Sequence, residues 1–414
     1  MTAREKHSLY PADLPLFPSD LPRPEATAFT LAGRVTSTED GTIVLSDAFA
    51  AARVHGTAEL RSGDLVVLEV RAGDSGLELA RIVERHAPAS PSAPHAASGS
   101  DVERFLQDGV GLNLRDRARA LATVRAFFAA RAFLEVDTPL LVPSPGLDLH
   151  LDAVEAQGGF LITSPEYQMK RLLVAGVPRQ FQIAHVFRAG EKGERHNPEF
   201  TMLEWYRAFA GVEQVMRDTE ELVTELIVEF SGSHQLPSEH ALIDVSPPFP
   251  RLSVAAAFSR FANVTETECF RLAREDSETF FRILVDKVEP ELAAATTPVF
   301  LVDYPIEQAS LARAKPSDPR VCERFELYLG GVELCNGFGE LNDPIEQRRR
   351  LEADQSARRE AGKAVYPIDE RFLGALREGM PPSAGNALGL DRVIALCLGE
   401  HEIARVMSFP DGVI

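Results

Sequence analysis

The sequence has few cysteines and no long apolar run. Its four cysteines, Cys269, Cys322, Cys335 and Cys397, are far apart and form no C-x-x-C pair. That spacing argues against a disulfide framework or a structural zinc site. No stretch approaches the roughly 18 apolar residues of a membrane span, and the N-terminal segment lacks the charged-then-apolar order of a signal peptide. We therefore expect a cytoplasmic protein with reduced thiols and no membrane partner.

Basic residues are also in the minority. Lys and Arg number 43 against 62 Asp and Glu, which gives a formal net charge of -19. This balance argues against a protein that relies on non-specific attraction to nucleic acid or anionic lipid, although it leaves room for a local basic groove. The 414 residues are 45% hydrophobic and 25% charged, as expected for a globular chain of two or three domains.

Composition shifts divide the chain into four parts. They are an irregular Pro-rich arm (1–27), a small OB-like β-barrel of five short alternating strands (28–86), a Pro/Ser/Ala linker (87–100) and one large domain (101–414). The barrel segment could read a nucleic-acid strand or dock a partner. Its only aromatic residues are Phe29 and Phe49, and it has no lysine, which favours docking.

The large domain opens with a predicted helix and strand. Asn113 could cap a helix in which apolar residues recur at helical spacing: Leu114, Ala118, Leu121, Val124 and Phe128. The following FLEVDTPLLVPSP is typical of a strand that prolines end, with Pro139 at a sheet edge or strand boundary.

The segment 163–209 carries the richest pattern. QFQIAHVFR and PEFTMLEWYRAF alternate like the two strands of a hairpin. Such strands can present four side chains to one cavity: Arg188, Phe200, Glu204 and Tyr206. An arginine at a strand end beside a charged glycine-containing loop suits a polyphosphate, because guanidinium pairs with phosphate oxygens. An ion pair of Arg188 with Glu191 or Glu199 is an equally open interpretation.

RFELYLGGVELCNGFGELND predicts a second hairpin. Glu326 and Glu333 lie on either side of the Gly330–Gly331 turn and can face each other across it. Two carboxylates near phosphates can hold Mg²⁺; the alternative is a pair of solvated strand carboxylates. Asn336 and Glu340 follow in the same segment.

SAGNALGLDRVIALCLG forms the third pattern. Gly385, Ala387 and Gly389 alternate before Arg392, which opens an apolar helix. Small residues on one strand face let a ligand approach the backbone, but the same pattern also occurs at tight strand–helix contacts.

Taken together, these segments resemble the motifs of class II aminoacyl-tRNA synthetases over residues 101–414, with LEVDTP resembling the first motif. HNPEFTMLEWY, GVELCNGFGELND and GLDR resemble the lysyl branch. SPEYQMKRLL, MLEWYR, PIDERFLGALREGMP and GNALGLDR resemble more closely a paralogous family, the elongation factor P β-lysine ligases. The resemblance implies an α+β fold, with an antiparallel sheet flanked by helices.

The resemblance also implies roles for particular residues. In the ATP site, Arg188 and Arg392 are the catalytic clamp, Phe200 stacks on adenine, His196 covers the phosphates, and Glu326 and Glu333 bind Mg²⁺. The residues implied for the amino-acid pocket are Ser164, Glu166, Glu204, Tyr206, Asn336, Glu340 and Ala387. Several fixed carboxylates suit a substrate with two ammonium groups.

Two positions depart from the synthetase pattern. Gly190 stands where a glutamate usually contacts the adenine amino group, with Glu191 one residue later. Ala387 stands where the tRNA-charging enzyme has glycine, and the β-lysine ligases share this alanine.

The function implied is ATP-dependent activation of lysine or (R)-β-lysine as an aminoacyl-adenylate, followed by transfer to a lysine of elongation factor P. The alternative is a lysyl-tRNA synthetase, in which tRNA is the acceptor; the N-terminal barrel favours it and Ala387 opposes it. A catalytically silent relative is a third possibility, which the presence of both arginines and both carboxylates opposes. The first motif also implies a homodimer through the segment from Leu121 to Pro145.

Overall fold

The computed structural model describes most of the chain, which divides into two compact units, Met1–Ala118 and Arg119–Ile414. The described residues are 15–21, 27–73, 75–88, 99–238 and 242–413. The predicted arm and linker lie mostly outside them. The boundaries placed at 28–86 and 101–414 from composition stay a prediction.

The first unit contains five strands whose apolar residues alternate. They are β1 (Ala28–Glu39), β2 (Thr42–Ser46), β3 (Ala51–His55), β4 (Leu65–Gly73) and β5 (Gly76–His86). Strand β1 pairs with β2 and β4, and β3 pairs with β2 and β5, so that the hydrogen-bonded order β1-β2-β3-β5-β4 closes on itself. Inward residues such as Leu31, Leu45, Val54 and Leu68 are buried together, as period-2 alternation requires.

The first long helix, α1 (Val110–Ala130), begins earlier than the sequence predicted. Asn113 therefore lies inside its first turn and does not cap it. A π-helical turn (Glu103–Gln107) precedes the helix, and Gly109, at φ 82°, separates the two. The left-handed conformation of Gly109 ends the π-helical turn, so that α1 begins at the next residue.

The second unit is built on a nine-stranded sheet. Its strands are β6 (Leu134–Glu135), β10 (Arg179–Phe187), β11 (Glu199–Ala208), β14 (Arg251–Ser253), β15 (Val299–Pro305), β16 (Ala314–Lys315), β17 (Asp318–Leu329), β18 (Val332–Gly339) and β19 (Ser383–Gly389). The order is β14-β15-β17-β18-β19-β11-β10-β6, with β16 paired to β17. Pairing is antiparallel except at the two ends, β14–β15 and β10–β6, in agreement with the predicted α+β class.

The predicted strand in FLEVDTPLLVPSP is reduced to two short pieces, β6 and β7 (Leu141–Val142). The residues between them, including Pro139, are outside any strand, because proline has no N–H to donate to a ladder. Small sheets complete the strands: β7 pairs with β9 (Gly159–Leu161), which also pairs with β8 (Glu155–Ala156), and β12 (Gln235–Pro237) pairs with β13 (Leu242–Asp244).

Nine further helices are described in the second unit. They are α2 (Glu166–Val174), α3 (Val212–Ser231), α4 (Val254–Ala262), α5 (Glu266–Glu275), α6 (Ser277–Ile283), α7 (Glu289–Ala293), α8 (Pro344–Glu360), α9 (Glu370–Gly379) and α10 (Leu390–Cys397). Ser253, Thr265, Asp343 and Asp369 cap α4, α5, α8 and α9 by accepting backbone N–H groups. Within the described part of the chain, no helix is long and apolar enough to cross a membrane.

Strand β11 lies inside the sheet, and its two faces have different roles. Leu203 and Trp205 point into the main hydrophobic cluster, together with Leu222 of α3. Because side chains alternate along a strand, the intervening Phe200, Met202, Glu204 and Tyr206 lie on the opposite face. That face carries the candidate site.

Candidate active site

Two adjoining cavities open on this face of the sheet. The larger has a volume of about 1000 Å³ and the smaller about 160 Å³. Arg188, Asn336 and Ala387 line both, so the cavities share a wall. The larger is also lined by five of the residues predicted to bind ATP: His196, Phe200, Glu326, Glu333 and Arg392.

Arg188 follows directly on β10, and its guanidinium lies 5.2 Å from the centre of the Phe200 ring. Its Nε donates to the carbonyl of Thr163 at 3.4 Å, and its Nη1 lies 3.7 Å from the Glu191 carboxylate. Glu199 instead contacts His185 at 3.0 Å. Arg188 therefore both lines the cavity and pairs with Glu191. Burial lowers the pKa of Arg188 below its usual value, but a guanidinium stays charged at neutral pH.

Arg392 lies in the first turn of α10 and is held by three groups. Its Nη1 donates to the carbonyl of Glu333 at 2.9 Å, its Nε to the carbonyl of Arg195 at 3.2 Å, and its Nη2 lies 2.7 Å from His196 Nε2. Burial and the charge of Arg392 lower the pKa of His196, so the imidazole is neutral at pH 7 and its Nε2 accepts this hydrogen bond. The guanidinium is thereby fixed at the cavity wall.

Glu326 is a carboxylate of the larger cavity that three donors restrain. It accepts hydrogen bonds from the Tyr304 hydroxyl at 2.5 Å and the Tyr328 hydroxyl at 2.9 Å, and Arg324 pairs with it at 2.7 Å. These three donors fix the carboxylate at the cavity wall.

Glu333 lies on the facing strand, although it is not the direct partner of Glu326. Glu333 is opposite Tyr328 because the two-residue turn pairs Leu329 with Val332, and an irregularity between Leu327 and Tyr328 then places Glu326 opposite Asn336 instead of Cys335. Both carboxylates still line the larger cavity. Burial and the neighbouring Glu326 raise the pKa of Glu333 to about 7. Among the described residues, His, Cys, Asp and Glu form no group of three that could hold a metal ion.

The second cluster of carboxylates centres on Glu204. It accepts hydrogen bonds from Ser164 Oγ at 2.7 Å and from the Tyr206 hydroxyl at 2.5 Å. Burial and the charge of Glu166 raise the pKa of Glu204 to about 8. A carboxyl with this pKa is mostly protonated at neutral pH and becomes charged when a cation approaches.

The sequence interpretation did not include Lys170, which lies between two of the predicted pocket residues. Its Nζ is 2.6 Å from Glu166 Oε1 and 2.5 Å from Glu340 Oε2, and the side chain is 0% exposed. Burial opposes its charge, but the two glutamates outweigh burial and hold the pKa of Lys170 above its ordinary value. Burial raises the pKa of Glu340 to about 7 despite Lys170. The signal in the sequence was a lysine four residues after Glu166, the spacing at which ion pairs form on a helix.

The predicted pocket residues are not all open to the cavities. Ser164, Glu166, Asn336 and Ala387 line the smaller one, whereas Glu204, Tyr206 and Glu340 are enclosed by protein. Two of the four side chains that the hairpin was expected to present to one cavity are thus buried beside it.

The Tyr206 ring explains this enclosure. It packs closely against Gly385, where a Cβ would come within 2.3 Å of the ring. Of the alternating small residues, Gly385 is therefore required for a tight contact inside the protein. Ala387 instead lines both cavities.

Ala387 also lies between site residues on its two neighbouring strands. It is opposite Glu204 in the β11–β19 register and opposite Asn336 in the β18–β19 register. Asn336 Oδ1 is buried and has no hydrogen-bond partner among the described residues. A buried acceptor without a donor is costly, so this oxygen is suited to accept a hydrogen bond from a bound ligand.

The mostly antiparallel sheet, with two arginines and two glutamates around one cavity, defines the catalytic domain of a class II synthetase. A family model for class II tRNA synthetases (D, K and N) matches residues 103–412, and the chain belongs to this family.

Within the family, the chain is similar to proteins named elongation factor P--(R)-beta-lysine ligase. It is 41% identical to that of Edwardsiella ictaluri over 327 residues, which cover 75% of this chain and 98% of the relative. The corresponding proteins of Proteus mirabilis and Vibrio cholerae are 41% and 39% identical, each over 72% of this chain and 94% of the relative. The resemblance found in the sequence motifs is confirmed.

Proposed function

We propose that this chain is an ATP-dependent ligase that activates lysine or (R)-β-lysine and transfers it to a lysine of elongation factor P. The observation that carries the proposal is the cluster of buried glutamates beside a cavity lined by two arginines. A carboxylate-rich pocket binds a diamino acid, and the arginines bind a polyphosphate. The names of the relatives support this substrate and this acceptor, and we propose that the protein acts in the cytoplasm.

In this proposal, ATP occupies the larger cavity. Phe200 stacks on adenine, while Arg188 and Arg392 contact the phosphates and His196 covers them. Glu191 is not free to replace the glutamate that is absent at Gly190, because its carboxylate lies near Arg188. We infer that backbone groups read the adenine amino group.

Glu326 and Glu333 would hold Mg²⁺. Mg²⁺ usually binds to one or two carboxylates together with substrate phosphates, so two glutamates suffice where ATP supplies the other ligands. The raised pKa of Glu333 fits this role, since a cation would favour its ionised form. When bound, the metal would neutralise phosphate charge.

The first chemical step needs little acid–base catalysis. The carboxylate of the amino acid attacks the α-phosphorus of ATP, and pyrophosphate leaves with the electron pair of the broken P–O bond. Arg188 and Arg392 orient the phosphates and stabilise the added negative charge of the transition state. In the second step, a neutral lysine amine of the acceptor attacks the acyl carbon, AMP leaves with the electron pair of the broken C–O bond, and the new amide nitrogen releases a proton to solvent.

Ser164, Glu166, Glu204, Tyr206, Asn336, Glu340 and Ala387 would form the amino-acid pocket. Since Glu204, Tyr206 and Glu340 are enclosed, we propose that they act through the residues that line the smaller cavity. Asn336 Oδ1 would accept directly from a substrate ammonium group.

We further propose a homodimer through the segment from Leu121 to Pro145. Leu134, Leu140 and Leu141 are exposed there, Leu134 by 55%, and β6 lies at the end of the sheet. Exposed apolar residues on an edge strand are typical of a surface covered by a partner.

For the N-terminal strands we propose an OB-like module (28–86), joined by the linker (87–100) to the catalytic domain (101–414). Its inward residues form a closed apolar core, while only two aromatic residues are available for stacking. We infer that the module docks a partner and does not read RNA.

ATP–pyrophosphate exchange with α-lysine and (R)-β-lysine side by side tests the proposal. The activated amino acid is then offered to elongation factor P and to tRNA. We expect exchange with at least one of the two, and transfer to elongation factor P. Transfer to tRNA alone would establish the tRNA-charging alternative, and no exchange with either amino acid would refute the activity.

A further inference from the structure

Lys170 is the only lysine among the fully buried large side chains of the described chain. Its helix, α2, points it at Glu340, at the end of the β18 segment, and at Glu166, one turn earlier on its own helix. Placing an ammonium group at 0% exposure is costly unless anions surround it. Lys170 can therefore stay charged at this position only because Glu166 and Glu340 lie next to it, and the two glutamates in turn need its positive charge.

Three glutamates determine the charge around Lys170. Glu166 acts on both Glu204 and Glu340, and Lys170 acts on all three glutamates. Arg313 also acts on Glu340, but it forms its own ion pair with Glu323 at 2.6 Å. When all three carboxylates are ionised, as the approach of cations favours, they and one ammonium leave two negative charges, which equals the number of ammonium groups on a diamino acid.

We propose that Lys170 is a positioning residue for the amino-acid substrate: it neutralises one glutamate and holds Glu166 and Glu340 in place, leaving two negative charges for the two ammonium groups. The inference rests on the proposed function and adds to it the residue that sets the charge of the pocket. Lys170 contacts the glutamates rather than the substrate, since it lines neither cavity.

Removing the ammonium should change how the pocket titrates. In Lys170→Met, three carboxylates face each other without a resident cation. Lys170 lowers the pKa of Glu340 and of Glu204, so its loss raises both. The variant must therefore take up protons at higher pH, and these protonated glutamates no longer attract ammonium groups.

The test is ATP–pyrophosphate exchange measured against amino-acid concentration and pH. We expect Lys170→Met to raise the KM for the diamino acid about tenfold or more, and to move the acid side of the kcat/KM profile up by about one pH unit. The kcat at saturating amino acid should change far less. The matched control is Lys315→Met, which breaks an ion pair with Asp303 outside both cavities and should leave KM and the profile unchanged.

A second pair of variants covers the case in which Lys170→Met does not fold. Glu340→Gln and the double variant Lys170→Met/Glu340→Gln differ only at Lys170. The double variant again has two negative charges, because it lacks both members of an ion pair. Adding Lys170→Met to Glu340→Gln should move the acid side of the profile to higher pH, as it does in the wild-type background.

The outcomes separate the two proposals. If the wild-type chain activates no diamino acid, the proposed function fails, and this inference fails with it. If the wild type is active but Lys170→Met merely lowers thermal stability, with KM and pH profile like those of Lys315→Met, then Lys170 has only a structural role and this inference alone is overturned. An unchanged profile between the two Glu340 variants would overturn it equally.

Discussion

Replacing Ala387 with glycine should change which isomer of lysine is activated. The methyl group of Ala387 lines both cavities, between Glu204 on one neighbouring strand and Asn336 on the other. It should crowd the amino group of α-lysine, whereas in β-lysine that group lies one carbon further along the chain. Ala387→Gly should therefore favour α-lysine by about tenfold, which corresponds to roughly 1.4 kcal/mol, within the range for one methyl group in a packed pocket.

The assay is ATP–pyrophosphate exchange, reported as the ratio of kcat/KM for α-lysine to that for β-lysine. Ala384→Gly is the control, because Ala384 lies on the same strand, is fully buried and lines neither cavity. Both variants should lose about 0.5–1 kcal/mol of stability from glycine in a strand, but only Ala387→Gly should change the ratio. If the wild type prefers α-lysine and the variant keeps that preference, the steric argument is refuted.

Three further predictions concern the metal site, the carboxylate pocket and the dimer surface. Glu333→Gln should abolish exchange without unfolding the protein. Because folding raises the pKa of Glu333 to about 7, ionisation of Glu333 lowers the stability of the wild type as pH rises from about 4.5 to 7. The melting temperature of the variant, compared with that of the wild type, should therefore rise between pH 5 and pH 8. Normal exchange by this variant would exclude a role in binding Mg²⁺. With pKa values of about 8 for Glu204 and about 7 for Glu340, protonation as pH falls through this range should raise the amino-acid KM on the order of tenfold between pH 8 and pH 6; a flat profile would contradict the carboxylate pocket. Leu141→Glu places a charge among exposed leucines and should shift the chain from dimer to monomer in sedimentation at micromolar concentration, whereas a wild-type monomer would remove the proposed interface.

The hairpins of the catalytic sheet were predictable because their periodicity is strong. The alternation in QFQIAHVFR and PEFTMLEWYRAF became β10 and β11, and the turn at Gly330–Gly331 joins β17 and β18 as expected. Local sequence is sufficient here, since one face of each strand must be buried and a register slip would expose it.

The features that sequence did not predict depend on contacts between distant segments. The enclosure of Tyr206 requires Gly385, which lies far along the chain on the neighbouring strand. The burial of Lys170 depends on Glu340, from a different element. The exact partner of Glu326 is set by a bulge, which places it opposite Asn336, and a bulge leaves no clear mark in the alternation of side chains.

The way in which Arg392 is held has a consequence for solution conditions. The three groups that orient its guanidinium are two carbonyl oxygens and a neutral imidazole, and none of them cancels its charge. The guanidinium can therefore pair with a small anion before any nucleotide arrives, although Glu326 and Glu333 line the same cavity and oppose this, and ATP must displace such an anion. Because mobile ions also screen this attraction, apparent ATP affinity should be weaker in phosphate or sulfate buffers than in chloride of equal ionic strength, and comparisons of KM between laboratories require the same anion.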